Sequence, residues 1–201
     1  MTGPAPGDYP GTPDGFQRLW TPHRQVYIDS HAGRGSTDCA FCVAPGLPDA
    51  DNLVIQTGQS VFAVLNLFPY NSGHLLVCPY RHVADYTDLT AAETVELAAV
   101  TQQAIRALRA VFAPQGFNLG MNQGGAAGAG IAQHLHQHVV PRWGGDSNFF
   151  PIVAQTRALP QLLADTRDRL RAAWAVANPT DGDPDARADK PAAPGIRHDF
   201  V

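Results

Sequence analysis

The chain is short of several things, and each shortage removes a class of function. Three cysteines in 201 residues are too few for the disulfide framework of a small secreted scaffold. No apolar run approaches the roughly 20 residues needed to span a bilayer, so no membrane partner is expected. Lys and Arg number 14 against 18 acidic residues, a net charge of −4. With no basic stripe to neutralise a phosphate backbone, nucleic acid is not expected as the main partner; a mononucleotide, which a few dipoles can hold, still is. The opening MTGPAPGDYPGTPDG has neither a basic nor an apolar segment, so no secretory signal is expected and a cytoplasmic location follows by default.

What is present alternates between strand and helix signals. Residues 1–15 are rich in Pro and Gly and read as a flexible segment, and residues 178–201 as a disordered tail with little to bury. Between them lies one domain, residues 16–177. Thr21-Pro22 predicts the start of a short helix towards Ile28. Strands are predicted at Leu53 to Ile55, Val61 to Leu65, Leu75 to Cys78, Phe117 to Met121 and Leu135 to Val140. Thr90 with Glu93 forms a capping box. Leu97, Val100, Ala104, Leu108 and Val111 continue it as a long helix. A second helix starts near Pro160, with Leu163, Arg167, Leu170 and Trp174 on one face. The order predicts an α+β fold with an antiparallel sheet.

The sharpest feature is His134-Leu135-His136-Gln137-His138. Read as a strand, it places all three imidazoles on one face. Three readings are open: structural histidines, a metal site built by all three, or nucleophilic catalysis. In the last, a neutral imidazole attacks phosphorus and splits one displacement into two easier ones. The preceding stretch from Gln123 through Gly128 to Gly130 is glycine-rich, and its backbone N–H groups can approach a phosphate closely. It lacks the G-x-x-x-x-G-K-[ST] pattern, so it also reads as a plain connection. Cys39-Ala-Phe-Cys42 has metal-ligand spacing but supplies only two ligands; a redox pair or two ordinary thiols fit it as well.

HLHQHVV resembles the signature of the histidine-triad (HIT) superfamily. Asn66-Leu-Phe-Pro69-Tyr-Asn-Ser-Gly73-His74-Leu-Leu-Val-Cys-Pro79-Tyr-Arg-His82 resembles a second block of that family. The likeness covers about Cys39 to Asn148. It implies a HIT-like fold: an antiparallel sheet of about five strands, a long helix and a C-terminal helix, usually dimerised. It also implies an enzyme that hydrolyses or transfers nucleotides. His136 is then the nucleophile, His138 bonds the phosphate, and the backbone at His134 orients His136. Asn66 matches a position that holds the ribose, and Asn122 one that contacts the phosphate.

Arg18-Leu-Trp20-Thr-Pro22 and Pro141-Arg-Trp143-Gly-Gly-Asp146-Ser-Asn148-Phe149 resemble the bacterial diadenosine tetraphosphate phosphorylase branch, which cleaves dinucleoside polyphosphates with inorganic phosphate. Trp143 then lines the nucleobase site or the substrate entrance. Zinc-bearing members supply two histidines to a C-x-x-C pair; here these are His82 and His134. The resemblance thus implies a structural Zn2+ held by Cys39, Cys42, His82 and His134, and no organic cofactor. Where the family commonly has a polar side chain four residues before the triad, this chain has Gly130. That keeps water open as the acceptor in place of phosphate. It also leaves open a hydrolase of nucleotide phosphoramidates or a non-catalytic nucleotide-binding scaffold.

Overall fold

Alternate side chains of a strand face opposite sides of a sheet, so a strand buried at every position must be covered on both. That is the state of β2 (Val61–Leu65) and β3 (Leu75–Pro79), each buried throughout. The computed structural model describes residues 39–49, 52–146 and 161–179. The segments 1–15 and 180–201, the helix expected after Thr21-Pro22, and Asn148-Phe149 lie outside the described residues.

A short helical turn, α1 (Ala40–Val43), is followed by β1 (Val54–Thr57), β2, β3, α2 (Ala91–Phe112), β4 (Gly116–Met121), β5 (Gln137–Arg142) and α3 (Leu163–Ala177). The five strands form one antiparallel sheet in the order β1-β2-β3-β5-β4. This is the α+β architecture expected. Among the described residues no helix is long and apolar enough to cross a membrane.

One face carries the main core. Val61, Ala63 and Leu65 of β2, Leu75 and Val77 of β3, and Val139 of β5 pack against Leu97, Val100, Ala104 and Leu108 of α2 and Leu170 and Trp174 of α3. The Thr90 hydroxyl accepts from the Glu93 backbone and Glu93 accepts from the Thr90 backbone, so the expected capping box starts α2. Glu93 also takes two bonds from Arg81, which ties α2 to the segment after β3. Arg81 and Thr90 hold its carboxyl down at about 2 against the cost of burial. On α3, Arg167 donates to the Asp49 and Asn52 carbonyls, and Asn178 caps the last turn while bonding Arg106 of α2.

The other face holds a smaller cluster: Val54, Phe62, Val64, Leu76 and Cys78, closed over by Cys39 and Phe41 from α1. It is this face that carries the histidines. One expectation needs correcting. β5 begins at Gln137 rather than Leu135, so only His138 of the three histidines lies within a strand. Leu135 donates its N–H to the Val83 carbonyl, outside the β4–β5 ladder. The chain is drawn off the ladder there because the His134 ring is tied to the end of β3.

Candidate active site

The two histidines that precede β5, His134 and His136, have opposite tautomers, and a backbone carbonyl decides each. A carbonyl oxygen only accepts. His136 Nδ1 lies 2.8 Å from the His134 carbonyl oxygen, so its proton sits on Nδ1 and its Nε2 keeps a lone pair. His134 Nε2 lies 2.9 Å from the Pro79 carbonyl oxygen, so its proton sits on Nε2 and its Nδ1 is bare. Burial lowers the pKa of His136 from the ordinary imidazole value and so favours the neutral ring, against the opposing effect of the bond to the His134 carbonyl. Phe41 packs at 4.9 Å from the His136 ring and edge-on, at 5.5 Å, to His134.

The bare Nδ1 of His134 faces two thiols, 3.4 Å from Cys39 Sγ and 3.4 Å from Cys42 Sγ; Cys42 Sγ is 3.3 Å from His82 Nδ1. All four donor atoms lie within 4.8 Å of one another, and the group can hold a metal ion. The cysteines come together because α1 turns between them, with Cys39 as its N-cap. Ordinary zinc–sulfur and zinc–nitrogen lengths at a tetrahedral angle give a sulfur-to-nitrogen edge of about 3.6 Å, close to the separations found. The Pro79 carbonyl that fixes the His134 tautomer is the outer partner such a ligand needs. Burial, with His82 and His136 nearby, pulls the His134 imidazole down to about 4, while burial and Cys39 push the Cys42 thiol up to about 11. A bound cation reverses the thiol shift by favouring the thiolate.

His138 opposes Leu76 in the β3–β5 ladder, which sets it beside His74 at the entrance to β3. His74 Nε2 is 2.9 Å from His138 Nδ1. On its other side, His74 Nδ1 receives the Tyr70 N–H at 3.0 Å and lies 3.2 Å from Asn66 Nδ2, while Asn66 Oδ1 accepts from the Phe68 N–H. The Tyr70 ring stacks on His138 at 5.7 Å and 17° and lies 4.8 Å from His74. The His136 and His138 rings are 5.0 Å apart.

The expected site residues divide accordingly. His134, His136 and His138 come together with Cys39, Cys42 and His82, and Asn66 joins them through His74. Asn122, half-buried, directly follows β4; β4 pairs Gly120 with His138. The glycine stretch forms a tight turn, Gly125–Ala127, with Gly124 and Gly128 at φ of 78° and 82°, where a side chain is disfavoured. Gly130 lies in the bend leading to His134. Trp143 is five residues beyond His138 along β5, about 16 Å of extended chain, so the fold does not bring it to the histidines of its own chain. Its turn is pinned by Asp146, which accepts from the Trp143 N–H, from Asn71 and twice from Arg142, whose guanidinium holds that carboxyl well below its usual range.

Residues 48–145 match the HIT domain family. A Mycobacterium tuberculosis protein named AP-4-A phosphorylase is 49% identical over 171 residues, covering 82% of this chain and 88% of that protein. The chain belongs to the HIT family. A relative in Arabidopsis thaliana, named bifunctional bis(5'-adenosyl)-triphosphatase/adenylylsulfatase FHIT, is 35% identical over 111 residues, 55% of this chain and 61% of that protein. Among solved structures, a Zn-bound histidine triad family protein from Mycobacterium smegmatis aligns with a TM-score of 0.57 at 34% identity, covering 71% of this chain and 96% of that one.

Three contributors to this HIT site carry no role in the sequence reading: His74, Tyr70 and Phe41. A signal existed for His74. It precedes an apolar strand and has the parity of Leu76 and Cys78, which places it on the face that the triad shares. Nothing in the spacing marks Phe41 or Tyr70.

Proposed function

We propose that this protein cleaves dinucleoside polyphosphates of the diadenosine tetraphosphate type through a nucleotidyl-His136 intermediate and passes the nucleotidyl group to inorganic phosphate. The observation that carries the reading is the His136 hydrogen bond to the His134 carbonyl, which leaves a neutral ring with its lone pair on Nε2. The substrate class is supported by the 49% identity to the protein named AP-4-A phosphorylase.

In the first step Nε2 of His136 attacks the α-phosphorus. A P–N bond forms as the P–O bond to the departing group breaks, and ATP leaves. The ring becomes cationic, and its Nδ1–H bond to the His134 carbonyl becomes charge-assisted and stronger. A phosphate oxygen then attacks the same phosphorus, the P–N bond breaks and ADP leaves. The ring returns to neutral and the phosphate's hydroxyl proton passes to solvent. His138 donates to a phosphate oxygen, and Asn122 with the backbone from Gly124 through Gly128 to Gly130 holds the anionic end.

Cys39, Cys42, His82 and His134 would hold zinc, whose part is to fix the backbone whose carbonyl orients His136. The soft sulfur and nitrogen donors suit that ion, and the Zn-bound relative supports it. The active form is a cytoplasmic homodimer. The dimer is supported by β4, an edge strand among the described residues with Leu119 half-exposed, whose outer side a second copy can cover.

The test is product analysis with diadenosine tetraphosphate and labelled phosphate. ATP plus labelled ADP is the expected outcome. AMP as the sole partner of ATP at millimolar phosphate would make the protein a hydrolase, the reading that Gly130 favours because it offers no side chain to the acceptor. In that case Gly130→Ser should raise the ADP-to-AMP ratio.

A further inference from the structure

Two N–H groups meet Nδ1 of the His74 ring. Asn66 Oδ1 accepts from the Phe68 N–H, so the amide nitrogen of Asn66 is the atom that faces His74. The Tyr70 backbone N–H points at the same ring nitrogen. A fully buried imidazole nitrogen that meets two N–H donors has to present its lone pair to them. His74 Nδ1 is therefore bare, and its proton is on Nε2. That proton faces His138 Nδ1 at 2.9 Å, so His138 accepts at Nδ1 and carries its own proton on Nε2.

We propose that Asn66, together with the Tyr70 main chain, is a positioning residue that locks His74 as its Nε2–H tautomer and through it holds His138 as an Nε2–H donor. The inference rests on the proposed role of His138 towards phosphate. It gives that role a cause: a donor two imidazoles away decides that His138 offers a proton, rather than a lone pair, to an anion. The reverse arrangement, with a proton on His74 Nδ1, lets His138 donate back to His74 and leaves His138 Nε2 bare, which repels a phosphate oxygen. The Tyr70 ring keeps the pair aligned by lying over both imidazoles. Among the described residues, Tyr70 lies across both rings and His136 stands beside His138.

The lock depends on an amide at residue 66. A carboxylate there retains the bond from the Phe68 N–H but replaces the donor facing His74 with an acceptor. Asn66→Asp should therefore put a proton on His74 Nδ1, either as the cation or as the opposite neutral tautomer.

Nitrogen-15 NMR of the side-chain rings reads this directly in the ligand-free protein. In the unsubstituted chain at neutral pH, His74 and His138 should both show an unprotonated Nδ1 and a protonated Nε2. In Asn66→Asp the unprotonated Nδ1 signal of His74 should be lost at the same pH. A proton on His138 Nδ1 in the unsubstituted chain overturns the proposal without any variant. An unchanged His74 Nδ1 in a folded Asn66→Asp protein overturns it as well. Adding AMP separates the underlying reading. If the tautomers are as expected but AMP does not shift the His138 Nε2–H signal, the lock stands and the phosphate role of His138 fails.

Discussion

Gly73→Ala tests how the fold delivers a histidine to the site. Gly73 has a φ of 75°, and a Cβ built there would sit 2.9 Å from Leu108 Cδ2 and 3.0 Å from Phe112 Cε2. The left-handed backbone costs a side-chain-bearing residue roughly 1–2 kcal/mol. Crowding two core side chains of α2 adds about 1–3 kcal/mol. A destabilisation of about 2–5 kcal/mol is expected, measured by urea unfolding at neutral pH. The next residue is His74, so a shift that relieves the crowding also moves the His74–His138 bond, and kcat should fall more than KM rises. A double-mutant cycle isolates the packing part. Leu108→Ala alone opens a cavity costing about 2–5 kcal/mol, but in combination it makes room for the new methyl. The pair should cost less than the sum of the singles. A Gly73→Ala cost under about 0.5 kcal/mol refutes the backbone argument, and strict additivity refutes the crowding argument.

His136→Ala should lower kcat at least about 1000-fold while ADP affinity, read by calorimetry, changes little; near-normal turnover sinks the proposed intermediate. Cys42→Ser should strip the tetrad, read as a drop in zinc per chain and in melting temperature, because binding energy at such a site is folding energy. Unchanged metal content in that variant removes the site. Glu93→Gln should cost about 1 kcal/mol at neutral pH, a discounted charge-assisted pair, since Arg81 is half-exposed. Its carboxyl stands near 2 in the folded chain against an ordinary 4.5, so the stabilisation is full above about pH 4.5 and fades as pH falls towards 2. The stability gap between Glu93→Gln and the unsubstituted chain should therefore narrow with acid; a gap independent of pH contradicts the assignment.

Where the sequence was legible, one physical signal dominated locally. Val61 to Leu65 is a short apolar run, and it is β2 with those bounds. Thr90 and Glu93 are a cap that needs nothing outside its own turn, and the helix starts there. Long-range constraints override local pattern where the reading slipped. Leu135 to Val140 scans as one strand, yet His134 is held by Pro79 and faces the cysteines, so pairing begins two residues late. Asn66 shows the same limit. The family resemblance places it at the ribose; its amide here bonds the Phe68 N–H and faces His74, contacts that become visible only once the 66–74 loop closes.

The result is a division of labour among chemically identical side chains. Imidazole has one proton to place when neutral, and each histidine of the group has it placed by a different neighbour. Pro79 takes the proton of His134 and so frees Nδ1 for the cysteine cluster. The His134 carbonyl accepts from the Nδ1–H of His136 and so leaves Nε2 with the lone pair that the proposed mechanism uses. His74 occupies Nδ1 of His138, which leaves that ring a donor. Three of these partners are fixed by backbone: the Pro79 carbonyl at the end of β3, the His134 carbonyl before β5, and the Tyr70 N–H in the loop before β3. Sheet register, which sets β3 beside β5, brings His138 to His74, whereas the bond that orients His136 is made within its own segment. A slip of that register by one residue would turn His138 to the opposite face of the sheet from His74, even with every histidine retained.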